Sequence, residues 1–92
     1  MNTPDVRLLR SFLAVAEDLS ISGAARRLYV TQQTLSGQII RLERMVGVPL
    51  LVRTARGVSL TAAGERLAVG AARVTAELDA LVDEVRQALP SR

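Results

Sequence analysis

Residues 21–40 read ISGAARRLYVTQQTLSGQII, and this stretch decides the fold. A short alanine-rich segment leads into a tight connection at Leu28-Tyr29-Val30, and a second helix is predicted to open at Thr31. Apolar residues recur at spacings typical of helices that pack on a core: Ala24, Ala25, Leu28, Leu35, Ile39 and Leu42. Two short helices joined in this way predict a helix-turn-helix.

The second helix of this pair also carries a polar face. It consists of Gln32, Gln33, Ser36, Gly37, Arg41 and Arg44. Amides and hydroxyls at the start of a helix, followed by arginines, suit a helix that reads base edges in the major groove of DNA. For this stretch taken alone, two core helices with a solvated polar face remain the alternative.

Capping residues predict where the helices begin and end. Thr3-Pro4 is typical of a helix start, with Thr3 as N-cap and Pro4 at the first helical position. Ser22 is predicted to cap the first helix of the helix-turn-helix, which is the second helix of the chain. The first amides of that helix would then receive a phosphate. Thr31 is predicted to cap the third helix, and Gly47 to stop it near Val46.

The composition excludes most catalytic chemistry. The chain has 92 residues, which is one small domain with at most an appended element. It contains no cysteine and no histidine, so thiol nucleophiles, zinc clusters and the commonest general base are absent. We therefore expect no enzyme activity, no metal site and no cofactor in this part of the protein.

No segment of the sequence predicts a membrane location. The longest run of apolar, glycine and proline residues is 45–52, whereas a bilayer-spanning helix needs about 20. The first ten residues, MNTPDVRLLR, lack the order of a signal peptide. The expected compartment is the cytoplasm.

The positive charge is concentrated in one part of the chain. All 12 basic residues are arginine. Residues 19–60 hold six of them against a single acid, Glu43, whereas residues 61–92 hold four arginines against five acids. A basic segment that coincides with a predicted helix-turn-helix is typical of a module that binds a polyanion. A solvated basic face is the alternative that charge alone does not exclude.

A β-ribbon is predicted directly after the third helix, at about residues 50–60. Two short apolar runs, 50–52 and 58–60, flank a basic tip that ends in glycine. Arg53 and Arg56 would lie near this tip, where an arginine can follow the DNA backbone or enter a narrow minor groove. The ribbon is interpreted as the wing of a winged helix, with a plain surface hairpin as the alternative.

The last helix is predicted to begin after Thr61 and to continue without proline to Leu89, over about 43 Å. It carries a heptad seam with spacings of three and four residues: Ala71, Val74, Leu78, Leu81, Val85 and Ala88. So small a domain offers too little core to cover this seam, which predicts a homodimer. Packing on its own domain or on a further C-terminal domain is the alternative. Gly64 and Gly70 predict close helix contact near the base.

Short motifs along the chain occur in a defined order. They are FLAVAE at 12–17, AARRL at 24–28, VTQ at 30–32, LS at 35–36, QI at 38–39, LE at 42–43, GVPLL at 47–51, RT at 53–54 and LTAAG at 60–64. Each motif is weak alone, whereas the ordered series is specific. In this series the chain resembles the LysR-type transcriptional regulators over essentially its whole length.

The resemblance implies a mainly α fold with two parts. Residues 1–60 would form a winged helix-turn-helix of three helices and a two-stranded wing, with the helix-turn-helix at about 21–40. Residues 61–90 would form a linker helix that pairs two subunits, and the resemblance favours an antiparallel pair where the seam alone leaves the direction open. In that family a C-terminal domain that binds a small-molecule effector usually follows, and it is absent from this sequence.

The resemblance and the charge pattern together define candidate DNA-binding residues. They are Ser22, Thr31, Gln32, Gln33, Thr34, Ser36, Gly37, Arg41, Arg53 and Arg56. The chain departs from the family pattern where Gln33 replaces a common proline, Gly37 a large basic or polar residue, and Ile40 a residue that is often polar. Leu51 stands where phenylalanine is common. Gln33 is predicted to make a bidentate pair with adenine.

The predicted function is a sequence-specific, dimeric transcription regulator that binds a roughly palindromic site in double-stranded DNA. Arginine contacts to phosphate would supply most of the affinity. The alternative is a winged-helix module that binds other proteins and dimerises through the 61–89 helix. The acid-poor stretch 19–60 argues against it, since a protein-binding surface does not need such an excess of arginine.

Overall fold

The computed structural model describes residues 3–90; residues 1, 2, 91 and 92, which the predicted domains partly include, lie outside the described residues. The elements follow one another as α1 (Val6–Asp18), α2 (Ile21–Arg27), α3 (Gln32–Val46), β1 (Leu51–Thr54), β2 (Gly57–Leu60) and α4 (Ala62–Gln87). The predicted fold class is confirmed, because three helices and a two-stranded antiparallel wing precede a long helix.

Two of the predicted N-caps are wrong. Helix α1 is capped by Asp5, whose carboxylate accepts a hydrogen bond from the Leu8 amide at 2.9 Å, and not by Thr3. Helix α2 is capped by Ser20, whose Oγ accepts from the Gly23 amide at 3.0 Å, so Ser22 lies inside the first turn. In both helices an alternative cap within two residues in sequence is used.

Three other predicted helix ends are confirmed, whereas α4 ends at Gln87, two residues before the predicted Leu89. Thr31 caps α3 by accepting from the Thr34 amide at 3.0 Å, and Gly47 ends it in the left-handed conformation with φ of 83°. Thr61 caps α4 by accepting from the Gly64 amide at 3.0 Å. Glycine suits the end of α3 because it adopts positive φ without a steric penalty.

The core lies where α1, α2 and α3 pack against one another. Its largest fully buried side chains come from α1, from α3 and from the loop before β1: Phe12, Val15, Leu35, Leu42 and Leu50. Burying a side chain of this size stabilises the fold by about 1.5–3 kcal/mol. This shared core fixes the orientation of α3 relative to α1 and α2.

One carboxylate organises the loop between α3 and the wing. Glu43 Oε2 accepts hydrogen bonds from the backbone amides of Leu50 at 2.7 Å and Leu51 at 3.3 Å. The Thr61 hydroxyl donates to the carbonyl of Pro49 at 2.8 Å. The only acid in the basic segment 19–60 is thus used inside the fold, and the loop joins α3 to the base of α4.

The wing is a short hairpin docked on the end of α1. Its register pairs Leu51 with Leu60 and Arg53 with Val58 on one face. The Val58 amide donates to the carbonyl of Leu19 at 3.3 Å. A Cβ at Gly57, where φ is 137°, would meet the same carbonyl oxygen at 2.6 Å, so glycine is required there.

Helix α4 begins in tight contact with the domain and ends in solvent. A Cβ at Gly64 would overlap the carbonyl of Leu50, which confirms the predicted close contact at that glycine. Gly70 makes no such contact within the single chain, because an added Cβ would meet nothing within 4 Å. The helix has 26 residues and gives the described chain a long axis of 57 Å.

None of the helices formed by residues 3–90 combines the length and the apolar character that crossing a membrane requires.

Candidate nucleic-acid interface

The turn between α2 and α3 sets the angle between these two helices. Tyr29 adopts the left-handed conformation with φ of 58° and is 95% exposed. The amide of Val30 returns to the carbonyl of Ala25 at 3.0 Å, which closes the turn. The chain therefore reverses within a few residues and presents Thr31 at the start of α3.

The outer face of α3 holds most of the predicted DNA-binding residues. Seven positions, of which only Ser36 is half-buried, share this face or its N-terminal edge: Thr31, Gln32, Gln33, Thr34, Ser36, Gly37 and Arg41. Leu35, Ile39 and Leu42 point inward and anchor the helix in the core. The structure thus brings the predicted α3 residues onto one solvent-exposed surface, which we call the α3 face.

Thr31 has a structural role in addition to any role toward a ligand. Its Oγ1 accepts from the Thr34 amide and donates to Thr34 Oγ1 at 2.8 Å. Both hydroxyls are therefore oriented by the first turn of α3. Ile40 is 45% exposed at the edge of the α3 face.

The wing places one arginine beside the α3 face. Arg53 lies on the side of the hairpin that faces the domain, and its Nη2 is 3.5 Å from Ser36 Oγ. Arg56 occupies the turn between the strands. Among residues 3–90, Arg41, Arg53 and Arg56 form no ion pair. Their charges are therefore available to a polyanion, and Arg53 joins wing and helix in one surface.

Arg27, in contrast, is already occupied by acids of its own chain. Its guanidinium pairs with Asp18 at 3.2 Å and Glu17 at 3.1 Å, and donates to the carbonyl of Ala14 at 3.3 Å. The hydrogen bond with Asp18, followed by the attraction of the nearby carboxylates, raises the pKa of Arg27 above its ordinary value. This arginine fastens α2 to the end of α1.

Two further contacts that the sequence did not reveal position the interface. Ser11 is buried and its Oγ donates to Gln38 Oε1 at 2.8 Å, which links α1 to the inner side of α3. Arg10 pairs with Asp79 at 2.9 Å and links α1 to α4. Both join residues far apart in sequence, so no local pattern signals them.

Ser22 is exposed in the first turn of α2. Because Ser20 provides the cap, the prediction that Ser22 caps the helix is wrong, whereas the predicted contact of this first turn with a phosphate stays a prediction.

The predicted dimer seam is only partly available. Ala71 is 2% exposed, because its own chain covers it, and we therefore remove it from the expected interface. Val74, Leu81 and Val85 are 44%, 54% and 62% exposed, and Leu78 is half-buried. Ala88 is exposed, but it is the C-cap and lies just beyond the last helical residue, Gln87. The seam left uncovered by the single chain is therefore Val74 to Val85.

No group of three or more acidic residues, histidines or cysteines within residues 3–90 is arranged to hold a metal ion.

Comparison with known proteins gives a consistent result. The family model described as "Bacterial regulatory helix-turn-helix protein, lysR family" matches residues 6–65. The chain is 49% identical over 81 residues to a probable hydrogen peroxide-inducible genes activator of Streptomyces viridosporus, covering 88% of this chain and 26% of that protein. It is 46% identical over 82 residues to the HTH-type transcriptional regulator BudR of Raoultella terrigena, covering 89% and 28%. The chain thus spans about a quarter of the length of these relatives.

Solved structures share the fold. The DNA-binding domain of CbnR in a complex with DNA superposes with a TM-score of 0.88 at 39% identity, covering 92% of this chain and 98% of that one. The DNA-binding domain of BenM in a complex with catB site 1 DNA gives a TM-score of 0.92 at 32% identity, covering 97% and 100%. A family match over residues 6–65, together with these identities and this fold, shows that the chain belongs to the lysR family of bacterial regulatory helix-turn-helix proteins.

Proposed function

We propose that this chain is the DNA-binding part of a LysR-type transcription regulator that recognises a specific site in double-stranded DNA. The observation that carries the proposal is the surface formed by the α3 face and Arg53. It combines exposed amides and hydroxyls with arginines that make no ion pair among the described residues. The related domains of CbnR and BenM, whose structures contain DNA, support the same use of this fold.

The dimensions of α3 fit a major groove. A helix with side chains is about 10–12 Å wide, and the major groove of B-form DNA is about 12 Å wide. The exposed residues of the first turns, Gln32 and Gln33, would then face base edges. A glutamine held in this way discriminates adenine by about 1–3 kcal/mol.

Arginines on either side of α3 would bind the phosphate backbone. Arg41 follows the exposed amides along the helix, while Arg53 and Arg56 belong to the wing. Each phosphate neutralised by an arginine releases condensed counterions, which makes affinity fall as salt rises. Arg27 is left out of this set because its guanidinium already forms ion pairs with Asp18 and Glu17.

A dimer would bring two such surfaces to one DNA molecule. The exposed seam from Val74 to Val85 continues toward the base of α4, where a groove of about 290 Å³ is lined by apolar residues that include Val48, Leu67 and Gly70. An antiparallel partner helix would cover both the seam and this groove. Two-fold symmetry then requires a roughly palindromic DNA site.

The relatives are the basis for a proposal about the rest of the protein. Because the chain spans about a quarter of their length, a further C-terminal domain that binds a small-molecule effector is proposed for the whole protein. We propose a cytoplasmic regulator without enzyme activity and without a cofactor in this part of the chain.

Fluorescence anisotropy at two salt concentrations tests the proposal. One duplex carries the DNA upstream of the protein's own gene and the other a scrambled sequence. Tighter binding to the first, weakened by salt on both, is expected. Absence of binding to either duplex at low salt would instead favour the protein-interaction module.

Two variants assign the roles of single residues. Gln33→Ala is expected to weaken binding to the specific duplex only, with Gln87→Ala as the control on α4. Arg53→Ala is expected to weaken binding to both duplexes and to reduce the salt slope by about one. Arg73→Ala is its control, because Arg73 is exposed on α4 and, among residues 3–90, forms an ion pair only with Glu77, at 3.9 Å.

A further inference from the structure

The most protruding position of α3 has no side chain. At roughly 100° per residue, Gly37 lies almost directly opposite the buried positions Leu35, Ile39 and Leu42. Gln33 and Arg41 lie one turn before and one turn after it on the same side of the helix. Bare backbone therefore occupies the point of α3 that is farthest from the core.

Nothing in the protein itself requires glycine at this position. A Cβ at Gly37 would meet no atom within 4 Å, and its φ is not positive. Glycine is unfavourable inside a helix because it loses more backbone entropy than alanine on folding. Gly64 differs, since a Cβ there would overlap the carbonyl of Leu50. No contact within the described chain therefore accounts for glycine at position 37.

The neighbouring side chains leave this position open. Ser36 turns toward the wing, where Arg53 Nη2 is 3.5 Å from its Oγ. Gln38 turns to the opposite side and accepts a hydrogen bond from Ser11. Both residues that adjoin Gly37 in sequence are thus directed sideways, and neither covers it.

We infer that Gly37 is where the backbone of α3 approaches the floor of the major groove, and that this contact reads the 5-methyl group of a thymine. The inference rests on the proposed DNA-binding function and names one element of its specificity. Glycine is the residue that permits close approach of a backbone to a ligand. The N–H and C=O of an interior helical residue belong to the helix ladder, so Gly37 offers only its methylene group. In the major groove the matching apolar group is the thymine methyl.

The decisive variant is Gly37→Ala in the 92-residue chain. Duplexes are first selected from a randomised pool by the wild-type protein, and affinities are then measured by anisotropy. The variant is expected to melt roughly 4 °C higher, because alanine favours the helix. Its affinity for the selected duplex is expected to fall about tenfold, with little change on random duplex. A gain in stability combined with a loss of specific affinity separates this role from damage to the fold.

Ala76→Gly is the control. It makes the reverse exchange of one methyl group within a helix, at an exposed position of α4 opposite the seam and away from the α3 face. It is expected to lower the melting temperature, because glycine is unfavourable inside a helix, and to leave DNA affinity unchanged, with sedimentation confirming the same oligomeric state. Retained or increased affinity of Gly37→Ala for the selected duplex overturns the inference, as does an equal loss on selected and random duplexes.

The methyl contact is tested by replacing each thymine of the selected duplex with deoxyuridine. One position in each half-site is expected to weaken wild-type binding severalfold and to cause no further loss with Gly37→Ala. If no single replacement affects the wild type, the thymine assignment is overturned. If the wild type enriches no sequence at all, the proposed function fails and this inference fails with it, whereas enrichment without a Gly37 effect overturns the inference alone.

Discussion

The two halves of α4 continue one helix but lie in different environments. In residues 62–75, Gly64, Ala71 and Thr75 are buried by their own chain. In residues 76–87, Leu81 and Val85 are exposed although they carry larger apolar side chains. The proximal half is thus part of the domain, and the distal half extends from it.

The difference shows that apolar spacing identifies a helix face but not what covers that face. Thr75 is polar yet buried, because its Oγ1 donates to the carbonyl of Ala71 one turn earlier at 2.9 Å. Leu81 belongs to the heptad seam that begins at Ala71, yet it is exposed to solvent. The boundary between the two environments follows the reach of α1 along α4, which the heptad pattern does not encode.

The largest expected effect is on the base of α4. Gly64→Ala should lower the free energy of unfolding by about 3 kcal/mol, because its Cβ would overlap the Leu50 carbonyl and the backbone would have to move. Gly70→Ala, in the same helix with open space, should raise it by up to about 1 kcal/mol. Urea unfolding of both variants measures the contrast, and equal stabilisation by the two would contradict a tight base.

The second effect concerns the distal half. Leu81→Glu should abolish dimerisation and weaken DNA binding by about 2 kcal/mol, because the partner would bury a charge in place of a leucine. Ala76→Glu, on the opposite side of α4, should leave both unchanged. Sedimentation and anisotropy give the two readouts. A Leu81→Glu dimer as stable as the wild type would show that the seam does not join the subunits.

The third effect concerns the loop beneath α4. Glu43→Gln should lower the free energy of unfolding by about 1–2 kcal/mol, since a neutral amide oxygen is a weaker acceptor for the Leu50 and Leu51 amides than a carboxylate. The control is Glu77→Gln, whose side chain is exposed on α4. Thermal and denaturant unfolding measure the difference, and a null result for Glu43→Gln would mean that the loop is held by other contacts.

The smallest effect is expected at the ion pair that joins α1 to the distal half of α4. Arg10 and Asp79 form an ion pair at 2.9 Å with both side chains largely solvated. A double-mutant cycle with alanine at both positions should give a coupling below about 1 kcal/mol that decreases with added salt. A larger, salt-independent coupling would indicate that the domain restrains α4 beyond its proximal half.

Local signals predicted most of the elements because their causes are local. A cap such as Thr31 bonds an amide three residues away, and Gly47 supplies a backbone conformation that depends on its own residue type. The failures arose where two local solutions compete. Ser20 and Ser22 are both good caps, and capping at Ser20 is the solution that buries Ile21 in the core.

Which residues of α3 share one face was predictable from the sequence, but how other elements are arranged around that face was not. Helical spacing predicted which residues of α3 share the outer face, and the structure places them there. That Arg53 reaches Ser36, while Arg27 is held by Asp18, follows from how separate elements pack. No spacing in the sequence distinguishes one arginine from the other.

Residue types a few positions apart are sufficient to predict the helical periodicities, the hairpin after α3 and the charge asymmetry. The folded structure is needed to see that Ala71 is covered while Leu81 is exposed, and that packing requires glycine at Gly64 but not at Gly37. These outcomes depend on distances between segments that are far apart in the chain, which become defined when the core orients the helices.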